Sequence, residues 1–276
     1  MGLRIGTNIA AISVMKHIRQ SQQDANRALV QLASGSRFAN PGEDPAGFTI
    51  SEHLRGQSQG MKAAQMNAEN AISFIQVAEG GLNEQNNIMI RMRELAIQAA
   101  SDTVSSVERD FLNQEFQQLS DEVDRIAKTT QYGSNKLLLG SGKSFDFQVG
   151  PYGGPENRIS YTLSSKTSSD ALGLKGLSVA DEDDALDAIK DIDGALSMVG
   201  GARASFGAIQ SRLEHASNHL ASHQVSIEEA RSKMTDVDVA DAVTRMTSAQ
   251  IRSQYQVAVL AQANHSAQSV IQLLQN

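Results

Sequence analysis

Three histidines recur at every fourth residue in the last third of the chain: His215, His219 and His223. Residues four apart share a helix face, so neighbouring imidazoles there are placed to hold a metal such as zinc. Against that reading, no carboxylate completes a His-Glu-x-x-His motif. His223 also coincides with an apolar seam, where a core or interface histidine is the expected role. A second cluster, Asp181-Glu-Asp-Asp184, suggests a cation site, but its spacing does not follow a calcium loop. It precedes a helical pattern, and carboxylates there complement the positive end of a helix. A third stretch, Leu32 to Ser51, carries Gly35, Pro41, Gly42, Pro45 and Gly47. It has the glycines of a phosphate cradle but no Gly-Lys-Ser/Thr and no preceding strand, so a structured connector is expected. His17, His53 and His265 stand alone, and no Ser/His/Asp set or paired carboxylates can be assembled. The expectation is a protein that is not an enzyme and takes no cofactor, with His215, His219 and His223 as the one candidate metal group.

Composition narrows the class further. Aromatic residues make up 4% of the 276, with no Trp and no Cys. Long alanine-packed helices suit that composition, while a disulfide framework and thiolate chemistry are excluded. The net charge of −7 and the absence of a basic run argue against nucleic acid. No apolar leader with a small-residue cleavage site opens the sequence, so export, if it occurs, is expected to use a route other than a secretory signal peptide.

The elements that must position any site are helical. Met15, Ile18, Gln22, Ala25, Leu29 and Leu32 alternate spacings of three and four, and Ile5, Ile9 and Ile12 extend the stripe, predicting a helix through Leu32. Met61, Ala64, Ala68, Ala71, Ile75, Ala78, Leu82, Gln85, Met89, Met92, Ala96 and Ala99 keep the same alternation, a helix of roughly 60 Å. Gly80-Gly81 fall inside it and predict a close approach or a bend. Leu112, Phe116, Leu119, Val123 and Ile126 form a third stripe. Then the period changes to two: Phe145–Val149 and Ile159–Leu163 flank Gly150-Pro-Tyr-Gly-Gly-Pro155, a hairpin and the only clear β-structure expected. Leu186, Ile189 and Ile192 open a return helix, whose seam runs Val199, Ala202, Phe206, Ile209, Leu213, Ala216, Leu220, His223, Ile227, Ala230 and Met234.

The last forty residues hold no Pro and no Gly. Val243, Met246, Ile251, Val257, Leu260, Val270, Ile271 and Leu274 put apolar residues on more than one face. Gln, Asn and Ser break the stretch too often for a membrane span, so it requires a partner helix, and the N-terminal stripe offers one. The fold class expected is mainly α: a long coiled-coil-like bundle with a small β-hairpin at about 143–164, and N- and C-termini that pair.

Four segments resemble bacterial flagellin. Leu32-Ala-Ser-Gly-Ser-Arg37 with Asn40, Asp44, Ala46-Gly47 and Ile50-Ser51 is similar to the family's connector after its first helix. Arg91-Met-Arg-Glu-Leu-Ala-Ile-Gln98 is similar to its long-helix motif. Phe206-Gly-Ala-Ile-Gln-Ser-Arg-Leu213 is similar to the start of its C-terminal rod helix. Val259-Leu-Ala-Gln-Ala-Asn264 followed by Val270-Ile-Gln-Leu-Leu274 is similar to its tail. The resemblance implies a subunit that polymerises with itself into the flagellar filament for motility. Residues 1–44 with 236–276 would form the inner-tube coiled coil, and 45–235 a helical rod, without the outer variable domains of larger members. Self-assembly would rest on Ile5, Ile9, Ile12, Met15, Ile18, Leu29 and Leu32, with Val243, Met246, Ile251, Val257, Leu260, Val270, Ile271 and Leu274. The termini would order on assembly. The implied partners are an export chaperone, the type III export apparatus, and the filament cap and hook-junction proteins, with an extracellular filament and no membrane insertion. A Toll-like immune receptor would read Arg91, Leu95 and Glu115; Ile90 stands where the family often has Gln. Two alternatives share the helical termini: a hook–filament junction protein and a periplasmic core flagellin.

Overall fold

A computed structural model describes residues 7–38 and 40–274, with side chains described to Ser266. The order is α1 (Ile9–Ser34), α2 (Pro45–Ala99), α3 (Ser106–Thr129), β1 (Gln131–Tyr132), β2 (Asn135–Lys136), β3 (Ser144–Gln148), a 3-10 turn (Pro155–Asn157), β4 (Arg158–Thr162), α4 (Glu182–Thr235) and α5 (Val239–Leu274). The fold is mainly helical, as the three-four periodicity predicts. The chain packs as two units: Met1–Gly56 with Ser226–Asn276, and Gln57–Val225.

The larger unit is a helical bundle with two small β-ribbons. All twelve seam positions predicted on α2, from Met61 to Ala99, are buried. From Ala71 onward the apolar members of the seam cluster with Phe116, Val123, Ile126 and Ala127 of α3 and the α4 row Ala185, Ala188, Ile192, Ala195, Val199, Ala202, Phe206, Ile209 and Leu213. Leu186 is exposed, a correction to the expected stripe. The seam runs one position earlier, through Ala185 and Ala188, because small residues let the helix axes approach. Gln85 is the one polar member of the α2 seam. Its Nε2 donates to the carbonyls of Val123 and Thr167, both at 3.0 Å, so it ties α2 to α3 and to the loop before α4. Of the two glycines inside α2, Gly81 is the close approach: a Cβ there would sit 2.6 Å from Thr130 Oγ1 and 2.9 Å from Leu138 Cδ1, while Gly80 faces open space.

The expected hairpin forms one residue earlier than read, with Phe147 opposite Ile159 and Phe145 opposite Tyr161. It is not the only β-structure. Gln131–Tyr132 and Asn135–Lys136 pair around Gly133 at φ +60°, a ribbon too short to show a period of two. The corner between α2 and α3 is closed by Arg109, whose guanidinium donates to the carbonyls of Ala99 at 2.8 Å and Ser101 at 3.0 Å. A capping box at Ser105 and Glu108 starts α3.

The smaller unit is the antiparallel pair of α1 and α5 with the connector. Asn8 caps α1 by accepting from the Ala11 N–H at 3.0 Å, and its Nδ2 donates to the Ala263 carbonyl at 3.2 Å. At the other end Gly35 takes the left-handed conformation, φ +68°. That turn lets Arg37 N–H reach Thr235 O and Val237 N–H reach Gly35 O, beside a Ser36–Asp236 bridge.

Candidate assembly surfaces

The seam between α1 and α5 is built mostly from small and polar residues. On α1 it runs through Ala11, Val14, Ile18, Ser21, Ala25, Ala28 and Leu32; on α5 through Ala242, Met246, Ala249, Ser253, Gln256, Leu260 and Ala263, all buried or half-buried. Both rows alternate three and four. The α1 row shares Ile18, Ala25 and Leu32 with the seam read from sequence but replaces Met15, Gln22 and Leu29, which are exposed. This is a correction with a physical reason. Two interleaved heptad rows pass through the same three positions, and the one carrying Ser21 and Ala28 lets the backbones close up. Midway, Ser21, Gln22, Ala25 and Asn26 face Gln250, Ser253 and Gln254 across a polar cleft.

Many of the large apolar side chains are left outside the pair. Ile9, Ile12, Met15, Leu29 and Val30 on α1 are exposed, as are Val239, Val243, Ile251, Tyr255 and Val257 on α5. Ile9 is 60% exposed, Ile251 61% and Tyr255 70%. Of the expected assembly residues, Ile18, Leu32, Met246 and Leu260 lie half-buried in the seam; Ile9, Ile12, Met15, Leu29, Val243, Ile251 and Val257 lie outside it. Ile5, and the side chains of Val270, Ile271 and Leu274, fall outside the described residues. Sequence reasoning missed Val30, Val239 and Tyr255, each a large apolar residue off the seam on a helix that has no other reason to carry one.

The connector is a built element. Gln31 Nε2 donates to the Arg37 carbonyl at 2.9 Å, Arg27 pairs with Glu43 at 3.0 Å, and Asp44 accepts from the Gly47 N–H at 2.9 Å. Gly47 is required because a Cβ would meet Asp44 and the ring of Phe38 within 2.7 Å. The turn at Gly35 brings the chain beside the start of α5, where Arg37 and Val237 bond across.

Arg91 and Glu115 are brought together in the larger unit. The Arg91 guanidinium donates to Glu115 Oε1 at 3.0 Å and to Glu94 Oε2 at 3.1 Å, and these carboxylates hold its pKa above the ordinary value, Glu115 contributing most. Leu95 is fully buried beneath. The acidic run opens α4 as expected, with Glu182, Asp183 and Asp184 in the first turn. A hydrogen bond with Asp102 is the largest cause that pushes the Glu182 carboxyl above its usual range. His215, His219 and His223 are all exposed. For His223 this overturns the expected core position, because cover on the α4 seam thins beyond Leu220, where Ile227, Ala230 and Met234 are only half-buried. Among the described residues no group of three metal-ligating side chains converges, and no helix is long and apolar enough to cross a membrane.

Comparison with known proteins supplies the family. The profile of the bacterial flagellin N-terminal helical region matches residues 5–143, and that of the C-terminal helical region matches residues 189–274. A flagellin of Halalkalibacterium halodurans is 36% identical over 98% of this chain and 99% of its own length. A flagellar filament 30.7 kDa core protein of Treponema maltophilum is 34% identical over 98% and 99%. The crystal structure of Bacillus cereus flagellin superposes with a TM-score of 0.50 at 30% identity, covering 56% of this chain and 88% of that one. With both terminal helical regions matched and the likeness running the length of its relatives, the chain belongs to the bacterial flagellin family.

Proposed function

We propose that this flagellin builds its filament by burying the outward faces of α1 and α5 against neighbouring copies. The observation that carries the reading is the division of labour on those helices: alanines and serines face the partner helix within the chain, while Ile9, Ile12, Met15, Leu29, Val243, Ile251 and Val257 face out. Burying an exposed Ile or Leu stabilises by about 1.5–3 kcal/mol, whereas ordering each residue costs on the order of 1–2 kcal/mol. One partner offsets little of that cost, and a lattice with several neighbours offsets it. Residues 1–44 and 236–276 would then form the inner tube, and 45–235 the rod around it.

On this reading the subunit is exported through the type III apparatus with a chaperone on its C-terminal helix, and it meets the filament cap and hook-junction proteins at the ends of the polymer. The filament is extracellular. The relatedness to a Treponema core protein favours a second reading, a periplasmic filament core. The exposed Arg91–Glu115 pair is the surface offered to a Toll-like receptor, with Leu95 supporting it from below.

Electron microscopy of the purified full chain under precipitant, beside a version ending at Asp236, tests the assembly reading. Long uniform filaments from the full chain alone are expected; equal assembly by both would remove α5 as the driver. Immunogold labelling of intact cells separates the two locations, since a periplasmic core stays unlabelled until the outer membrane is breached. A dose series on receptor-bearing reporter cells tests the Arg91 surface, where a flat response sinks it.

A further inference from the structure

We infer that His219 and His223 form a two-imidazole chelate for a borderline divalent transition metal (zinc, nickel or copper) on the outer face of α4. The two rings lie nearly parallel, 11° apart, with centroids 5.9 Å from each other. Both side chains are exposed, and among the described residues no hydrogen bond or ion pair engages either one, so their nitrogen lone pairs are free for a ligand. The imidazole χ2 torsion is soft. Rotation about it brings one nitrogen of each ring to a common point at the roughly 2.0–2.1 Å that such metals require.

The surroundings favour this pair and this class of metal. His215 extends the row by one turn, but Arg212 lies three residues before it and its charge opposes a cation there. Glu214 and Glu228 each stand five positions from the nearer of the two histidines, about 140° around the helix, and so point elsewhere. With imidazoles as the protein ligands, the hard cations calcium and magnesium are disfavoured, and the metals that accept nitrogen are selected. No third side chain joins the pair, so the remaining coordination positions are open to water or to a ligand from another molecule.

The test is a titration of the monomeric full chain with zinc ions against a chromophoric indicator, repeated for His219→Gln, His223→Gln and a control, His53→Gln. The positions are exposed, so the variants fold. Each of the first two is expected to weaken zinc binding at least tenfold, and the control to leave it unchanged. Copper(II) bound to the wild type is expected to show two coupled nitrogens by electron paramagnetic resonance and one in either variant. Equal zinc affinity for the wild type and both variants, or a copper spectrum that the substitutions do not alter, overturns the proposal.

Discussion

The larger unit and the α1–α5 pair are written in the same three-four repeat and use it in opposite ways. Along α2 the repeat carries Met61, Ile75, Leu82, Met89 and Met92 inward, and every seam position is buried. Along α1 and α5 the buried row is mostly alanine, serine and glutamine, and most of the large apolar residues lie off it. The first unit spends the large apolar residues of its seam within the chain, although Met66, Ile97, Phe111 and Met198 stay exposed off it. The second leaves Ile9, Ile12, Leu29, Ile251 and Val257 exposed off its seam, where the proposed assembly would bury them. Periodicity therefore reports that a helix will pair, while the size of the residues on the row reports how much of the available burial is spent inside one molecule.

A pair of substitutions sets the difference at its widest. Phe116→Ala removes a fully buried ring from the larger unit and should cost about 3–5 kcal/mol, read from the denaturant midpoint of the monomer. Ile251→Ala removes a side chain that touches little within the chain and should leave that midpoint within about 0.5 kcal/mol. Its effect should appear in the critical concentration for polymerisation instead. A monomer destabilised equally by both would erase the distinction between the units.

The buried glutamines sharpen it next. Gln85→Ala strips partners from two buried carbonyls in the larger unit and should lower monomer stability by about 1–3 kcal/mol. Gln31→Ala removes a 2.9 Å bond to the carbonyl of Arg37, itself an exposed residue of the connector. Its loss should be the smaller of the two in the same chemical denaturation series. A reversed order would mean that the connector, more than the bundle, sets the cooperativity of unfolding.

Adjacent glycines give a finer contrast. Gly80→Ala adds a methyl group to open space on α2 and should stabilise the helix by about 0.5–1 kcal/mol. Gly81→Ala drives the same methyl into Thr130 and Leu138 and should destabilise by about 1–3 kcal/mol. Thermal melts of the two variants should move in opposite directions.

Much of this was legible because burial and period agreed. The α2 seam was readable residue by residue, since the three-four alternation runs unbroken through all twelve positions from Met61 to Ala99. The hairpin was readable to within one residue, since Phe145, Phe147, Ile159 and Tyr161 alternate cleanly. The α1 register was not, because Met15 and Val14, or Leu29 and Ala28, satisfy the same spacing, and closeness of the backbones decides between them. Tyr255 went unread for the same reason: a seam rule has no place for a large residue off the row. His223 was misplaced because counting along a seam cannot tell where the partner helices stop covering it.

The smallest effects lie at the helix starts, and there the two units should differ in their response to pH. Glu108 accepts from the Ser105 N–H and hydroxyl, both at 2.9 Å, and its pKa is lowered, with the backbone bond as the larger cause. A depressed carboxylate contributes stability above its unfolded value, ordinarily about 4.3, and that contribution is lost as pH falls through the folded value. Ser105→Ala removes only the hydroxyl, so the Glu108 pKa followed by carbon-13 NMR should rise part of the way back. Glu108→Gln should abolish this acid-sensitive share altogether. Asn8 caps α1 with an amide that does not titrate. Asn8→Ala should therefore cost about 1 kcal/mol with no slope between pH 3 and 6 of its own. If the cost of Asn8→Ala instead grows on acidification, a carboxylate reaches that helix start, and the contrast between an uncharged cap on α1 and a charged one on α3 fails.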